Sequence, residues 1–383
     1  MKKTLFSLFM LSISTLSFGQ QDLFALTGRE TANIVFQDFR ALDSKAGLTR
    51  NIILSSADQP TVFSLKQNRE ITEDKKSNAN AVAGQMATLA LDSRGNLVYM
   101  PLFSSNIYVL DSKTKNVTLV ENNLSNPTSC DTGSQFSRMT IGNDGNIYAL
   151  SNSGGQLLKI FYKDGKYSVT DLGIVKDDSG NGENLLSRML TGFGGDMIAD
   201  EAGNFYIFSA TGNVFKVSLN EMKAKFIGKI RSLPDNFSIN GVAVNADGKI
   251  VLASAKGGAF HTLNLETLQA EKMNTNLAMP VYDLGSSYIL KSNKPLAAIN
   301  KSDIYPTRVS EGYVNVRIAS HQKGNATIRV YNTAGNLVLD QSVTNISNSD
   351  NRIELGKLIS GIYVVNVESE KGKVIISKKI IVQ

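Results

Sequence analysis

The sequence predicts an all-β chain, with an about six-bladed β-propeller followed by a small C-terminal β-sandwich. Three observations carry this reading. A strand–turn–strand unit closing on glycine recurs four times through the middle of the chain, and two further strand-like runs follow each recurrence. No long segment shows helical periodicity. Past residue 301 the strands and turns follow a different, tighter spacing. The expected plan is residues 1–19 as a leader, 20–300 as the propeller and 301–383 as the sandwich.

The leader is read from Met1-Lys2-Lys3, a positive start, and from the apolar run Leu5 to Phe18. Ser17-Phe18-Gly19 places small residues where a signal peptidase reads them, so cleavage is expected between Gly19 and Gln20. Roughly fourteen apolar residues are too few to span ~30 Å of hydrocarbon as a helix. Gln20 stands where a lipoprotein signal needs cysteine, and no later stretch reaches transmembrane length.

The repeated units are Leu89 to Tyr99, Met139 to Tyr148, Met197 to Tyr206 and Val242 to Leu252, with turn glycines Gly95, Gly145, Gly203 and Gly248. Asp92, Asn143, Asp200 and Asn245 are expected to open the turns by bonding the turn backbone, while glycine takes the left-handed conformation that closes a hairpin. Third and fourth strands follow each unit, for example 156–162 and 167–172 around Lys163-Asp164-Gly165-Lys166. Four strands per repeat of about 50 residues describe a propeller blade. Residues 51–68 are expected to supply most of a first blade. Pro280 to Leu290 supplies inner strands of a last one, which Leu23 to Leu42 would complete, closing the ring and removing exposed sheet edges.

Composition narrows the function. The chain has 383 residues and a formal charge of +6. Lys2 and Lys3 leave with the leader, and about four of the remaining positive charges in net fall from Lys301 onward, so the middle is close to neutral. Nucleic acid, which needs a concentrated basic face, is therefore not the expected partner. Cys130 is the only cysteine, and His261 and His321 are the only histidines. That argues against a disulfide framework, a zinc centre or a Ser-His-Asp hydrolase.

Aligning the repeats on their glycines puts Ala87, Ser137, Gly195 and Asn240 at one level of the axial mouth, with Thr88, Arg138, Asp196 and Gly241 at the next. Arg138, Asp196 and Asn240 are the candidates there, and Arg138 and Asp196 either pair across neighbouring blades or stand as solvated charges. In Lys176 to Asn184, the oxygens of Asp177, Ser179 and Asn181 before Gly182 follow the first half of a calcium loop, although Arg188 occupies the position of its bidentate Glu. Calcium there is the one cofactor candidate; the alternative is a solvated connection.

The Asp-x-x-Gly-Asn turn with its following Tyr resembles the broad propeller group that includes NHL-repeat and gluconolactonase-like proteins. That group places a divalent metal on the axis with a Glu and an Asn or Asp set. Asn240 and Asp196 are present here without a matching Glu. A binding or adhesion module with a surface glycan or protein ligand is accordingly expected ahead of the alternative, a metal-dependent hydrolase or lactonase.

After residue 301, Tyr305-Pro306 opens the segment and Tyr331-x-x-x-Gly335 forms a turn. Leu358-x-x-Gly361-Ile362-Tyr363 follows, and Lys378-Lys379 leads into an apolar end. About seven short strands with regular turns describe a small sandwich. The order of features resembles the type A sorting domain of type IX secretion cargo, with Thr307-Arg308 departing from the family's opening. The resemblance implies passage through the periplasm, recognition by the outer-membrane translocon and removal of the domain by a sortase-like peptidase. Gly361 is expected to permit a sharp turn and Tyr363 to pack inward.

Overall fold

The computed structural model describes residues 22–28, 38–55, 58, 60–71, 86–111, 113–124, 127–128, 131–189, 194–275, 277, 279–291, 302–310, 312–318, 324–346, 351–356 and 358–383. The expected leader, its cleavage site at Gly19–Gln20 and Cys130 lie outside these residues. The chain divides into two compact units, Met1–Lys291 and Ser292–Gln383.

The first unit is a propeller, and its described residues form five blades rather than about six. Blade one runs outward from the axis as Val281–Gly285, Asp22–Thr27, Asp38–Asp43 and Thr49–Ser55. Blade two is Met86–Leu91, Leu97–Pro101, Ile107–Leu110 and Val117–Val120. Blade three is Phe136–Ile141, Ile147–Ser151, Leu157–Lys163 and Lys166–Gly173. Blade four is Asp196–Ala199, Asn204–Phe208, Asn213–Ser218 and Lys223–Lys229, and blade five is Ile239–Val244, Ile250–Ser254, His261–Asn264 and Gln269–Lys272.

The difference in count has a local cause. Residues 51–68 do not make a blade of their own. Thr49–Ser55 is the outer strand of blade one, while Val62–Ser64 adds parallel to Val117–Val120 outside blade two. Lys176–Asp177 likewise adds parallel to the outer strand of blade four. Among the described residues these added strands, not a further blade, take up the extra length.

The ring closes as the leftover apolar strands suggest. Asp22–Thr27 pairs antiparallel with Val281–Gly285 on one side and with Asp38–Asp43 on the other. Each blade has two apolar faces because alternate residues of a strand point to opposite neighbours. In blade two, Leu89, Leu97 and Tyr99 pack against Phe24, Phe39 and Leu54 of blade one, whereas Ala90, Val98 and Met100 pack against Phe136 and Met139 of blade three. Three more such cores join blades three to four, four to five and five to one. Inner strands are therefore buried along almost their whole length, and the outer Lys166–Gly173 has no buried residue.

The turn register shifts once from expectation. In blades two, four and five, Asp92, Asp200 and Asn245 open the hairpin turn and their side chains accept two backbone N–H bonds each. In blade three the opening position is Gly142, not Asn143. A Cβ there would lie 2.5 Å from the Tyr148 ring, so the bonding moves to Asp144, which accepts from Asn146 and the Tyr148 hydroxyl. Asn143 instead reaches the Glu201 carbonyl of blade four.

The second unit is a sandwich of a three-stranded sheet, Asp303–Tyr305, Tyr313–Arg317 and Asn351–Glu354, and a five-stranded sheet. The latter holds Arg308–Val309, Val374–Val382, Gly361–Ser369, Gly324–Asn332 and Leu337–Ile346 in that order. Ile304, Val314, Val316, Ile328, Val330, Val365, Val367 and Ile380 form its core. No helix among the described residues is long and apolar enough to cross a membrane.

Candidate functional site

Thr88, Arg138, Asp196 and Gly241 stand on the inner strands of four blades, and Asp283 stands on that of the fifth. Thr88, Arg138, Asp196 and Asp283 are all fully buried at this level, with Gly241 completing it on blade five. Inner strands face the axis with backbone groups that no further strand pairs among the described residues, so side chains must satisfy them.

They do so by bridging consecutive blades. Asp196 of blade four accepts from its neighbour Met197 N at 2.7 Å and from Val242 N of blade five at 2.5 Å. Asp283 of blade one accepts from Leu284 N at 3.0 Å and from Leu89 N of blade two at 2.5 Å. Arg138 of blade three donates to the Asn152 carbonyl at 2.9 Å, the Asn152 side chain at 3.1 Å and the Gly194 carbonyl of blade four at 3.4 Å.

Arg138 is thus committed to carbonyls rather than to a direct pair with Asp196, whose negative charge still supports it. Burial lowers the guanidinium to about 10, which leaves it charged at neutral pH. Asp196 instead meets Asp283. Gly241 stands between them, and a Cβ there would fall 2.6 Å from Leu284 Cγ and 3.0 Å from Leu284 N. Removing that side chain lets blades five and one approach, and the two carboxyl groups come within hydrogen-bonding reach of each other.

Burial raises both carboxyl groups above the ordinary range, and the adjacent Asp283 charge raises Asp196 further. Two carboxylates this close titrate as a unit. The Thr88 hydroxyl sits beside Asp283, favouring its ionised form, without a well-formed hydrogen bond. Asp283 escapes the sequence alignment because no hairpin follows its inner strand: the strand beside it comes from the other end of the chain.

Asn240, one level nearer the mouth, places its amide 3.0 Å from the Ser238 hydroxyl. Ser238 belongs to an open groove of about 950 Å³ between blades four and five. The groove is lined by the Ala210–Thr211 turn, by residues 229–238 leading into the inner strand of blade five, and by Lys256. All three segments lie at the end of the blades where the inner strands begin, the same end as Asn240. Lys229, Lys256, Thr211, Ser232 and Asn236 offer cations, hydroxyls and an amide, Asp235 adds a carboxylate, and Leu233, Pro234 and Phe237 offer apolar surface. Phe237 is held edge-on to His261 at 4.8 Å. Sequence reasoning passed over this groove, because it is assembled from turns that carry no motif.

Two of the three calcium-loop oxygen side chains, Asp177 and Asn181, are committed within the chain. Asp177 accepts from Leu186 N at 2.6 Å and from the Ser187 hydroxyl at 2.7 Å. Asn181 is buried, donating to the Ala224 carbonyl and accepting from Phe226 N, both at 2.8 Å. Ser179 begins a short 3₁₀ turn that Asp178 caps.

In the sandwich, Tyr305 accepts from Arg317 at 2.7 Å, and Gly335 closes a turn with φ of 80° onto the Asn332 carbonyl. Leu358 packs on the core, Ile362 faces outward, and Lys378 pairs with Asp303. Lys379 is exposed on the same strand. Tyr363 is buried, and its hydroxyl donates to the Ile359 carbonyl at 2.9 Å. The sharp turn expected at Gly361 is not there. This residue opens a regular strand opposite Val382, and a Cβ would meet its nearest atom at an ordinary 3.6 Å.

No sequence among the curated proteins matches this chain. Among solved structures it is similar to PorZ, an essential bacterial surface component of the type IX secretion system of Porphyromonas gingivalis. The identity is 12% over 94% of this chain and 51% of that one, with a TM-score of 0.28; this chain spans about half the length of PorZ. It is also similar to a virginiamycin B lyase from Staphylococcus aureus, at 9% identity over 95% and 97% of the two chains and a TM-score of 0.33. A protein of unknown function from Bacteroides thetaiotaomicron gives 11%, 77%, 72% and 0.37 in the same order. The propeller assignment rests on the sheets described above. Residues 303–383 match the family model of the secretion system C-terminal sorting domain, a type IX secretion tail that indicates export to the cell surface or beyond.

Proposed function

We propose that the propeller is a ligand-binding module working outside the cell, and that its ligand lies in the groove between blades four and five. The observation that carries this reading is the contrast between the two places a ligand could go. The axis is filled by Arg138, Asp196 and Asp283, each fully buried and bonded to backbone. The groove beside it is open and offers lysines, hydroxyls, an amide and an aromatic edge. Such a lining suits an acidic oligosaccharide, whose carboxylates meet Lys229 and Lys256 and whose C–H faces rest on Phe237 and Leu233.

The test is an array of surface glycans and matrix proteins probed with the full chain and with the Lys229→Glu/Lys256→Glu variant. Binding to uronate-bearing glycans, weakened at least roughly tenfold by the double substitution and by salt, supports the proposal. Ligands bound equally well by both proteins would place the binding surface elsewhere. Turnover of a lactone or ester panel that a chelator abolishes would favour a metal-dependent hydrolase instead.

A further inference from the structure

We infer that the propeller axis carries one proton shared between Asp196 and Asp283, and that losing this proton loosens the ring at alkaline pH. The inference is independent of the groove. It starts from charge balance in a sealed space, where an unpaired buried charge is strongly unfavourable.

The strands packed against the two carboxyl groups are Asp22–Thr27, Met86–Leu91, Phe136–Ile141, Asn204–Phe208, Ile239–Val244 and Ile250–Ser254. Their charged residues are Arg138 and Asp22, and Asp22 pairs with Asp43 beyond the end of Val281–Gly285. Of the tyrosines nearby, Tyr206 bonds to Asp200 and Tyr282 packs into the core between blades one and two. Among the described residues of these strands, Arg138 therefore supplies the one compensating positive charge. It balances one ionised carboxylate, and the other stays neutral by keeping a proton, which also bridges the pair.

The consequence for closure follows from the bonds already described. Asp196 ties blade four to blade five through Val242 N, and Asp283 ties blade one to blade two through Leu89 N. Forcing both groups to ionise sets two like charges against each other across Gly241, at the point where the chain ends meet. An acid that holds its proton more tightly folded than unfolded contributes stability that is complete below its unfolded value and lost as pH rises through its folded one. For this pair the window opens above the ordinary 3.8 and extends into the alkaline range, because burial raises both groups. Stability should therefore decline from mildly acidic toward alkaline pH.

Thermal unfolding of the full chain at pH 5.5 and pH 9 tests this, with Asp196→Asn, Asp283→Asn and the double variant alongside. An amide places an N–H where the shared proton sits and leaves one carboxylate to balance Arg138. At least one single variant should show a smaller drop in melting temperature between the two pH values than the unsubstituted protein, by on the order of 5 °C. Parallel profiles for the unsubstituted protein and both single variants would overturn the inference. Infrared spectra of the unsubstituted protein supply a readout that does not depend on the variants folding. A carbonyl band from a protonated buried carboxyl group should be present at pH 6 and fade at pH 9, and its absence at pH 6 would also overturn the inference.

Discussion

Deleting the residues before Ser44 should unfold the propeller rather than trim it. The deletion removes Asp22–Thr27 and Asp38–Asp43, the second and third strands of blade one. Val281–Gly285 then loses its ladder partner, and Thr49–Ser55 loses the strand on which it pairs. Five large side chains that are at most 5% exposed leave the core: Leu23, Phe24, Leu26, Phe39 and Leu42. At roughly 1.5–3 kcal/mol for each, the loss is on the order of 10 kcal/mol. Backbone bonds add about 1 kcal/mol apiece. A domain holds only about 5–15 kcal/mol in total, so no folded remainder is expected. Circular dichroism melting of chains starting at Gln20 and at Ser44, both ending at Gln383, makes the comparison. The shorter chain should lose the propeller transition and keep that of the sandwich. Two propeller transitions at the same temperature would refute the argument and mean that the ring closes without its N-terminal strands.

Two further substitutions separate structural roles that the sequence leaves mixed. In the sorting domain, Tyr363→Phe removes the bond to the Ile359 carbonyl and should destabilise by about 1 kcal/mol, whereas Gly361→Ala should stay within about 0.5 kcal/mol, both read by denaturant titration. In the propeller, Asn181→Ala breaks two bonds to the outer strand of blade four. It should destabilise by about 1–3 kcal/mol, with the same loss in calcium as in chelator; a loss seen only in calcium would make the loop a metal site.

What the sequence made legible depends on whether the controlling partners are local. The hairpins were legible because their turn glycines and capping oxygens are neighbours in the chain, and the two axial levels on four blades came from counting back from those glycines. Ring closure was legible as well, since Leu23 to Leu42 and Val281 to Leu290 each form an apolar set with no local partner. The slip from Asn143 to Gly142 was not, because it depends on the Tyr148 ring crossing the turn. Gly361 was over-read for a related reason. A glycine that opens a strand looks the same in sequence whether or not its backbone needs the freedom.

The chemistry of the axis was hidden by the blade count. Arg138 and Asp196 sit on consecutive blades and look like a pair in any ring. Whether they become one depends on what the other side of the axis presents. With six blades, the position beyond Gly241 would still fall on the Pro280 to Leu290 strand, but in a wider ring. With five, it belongs to Asp283, and the axis is narrow enough for that carboxyl group to reach Asp196 across the glycine. Asp196 then takes a carboxyl partner, and Arg138 turns to the carbonyls of Asn152 and Gly194. A change of one in the number of blades thus converts an expected ion pair into a neutral three-residue set that holds a proton.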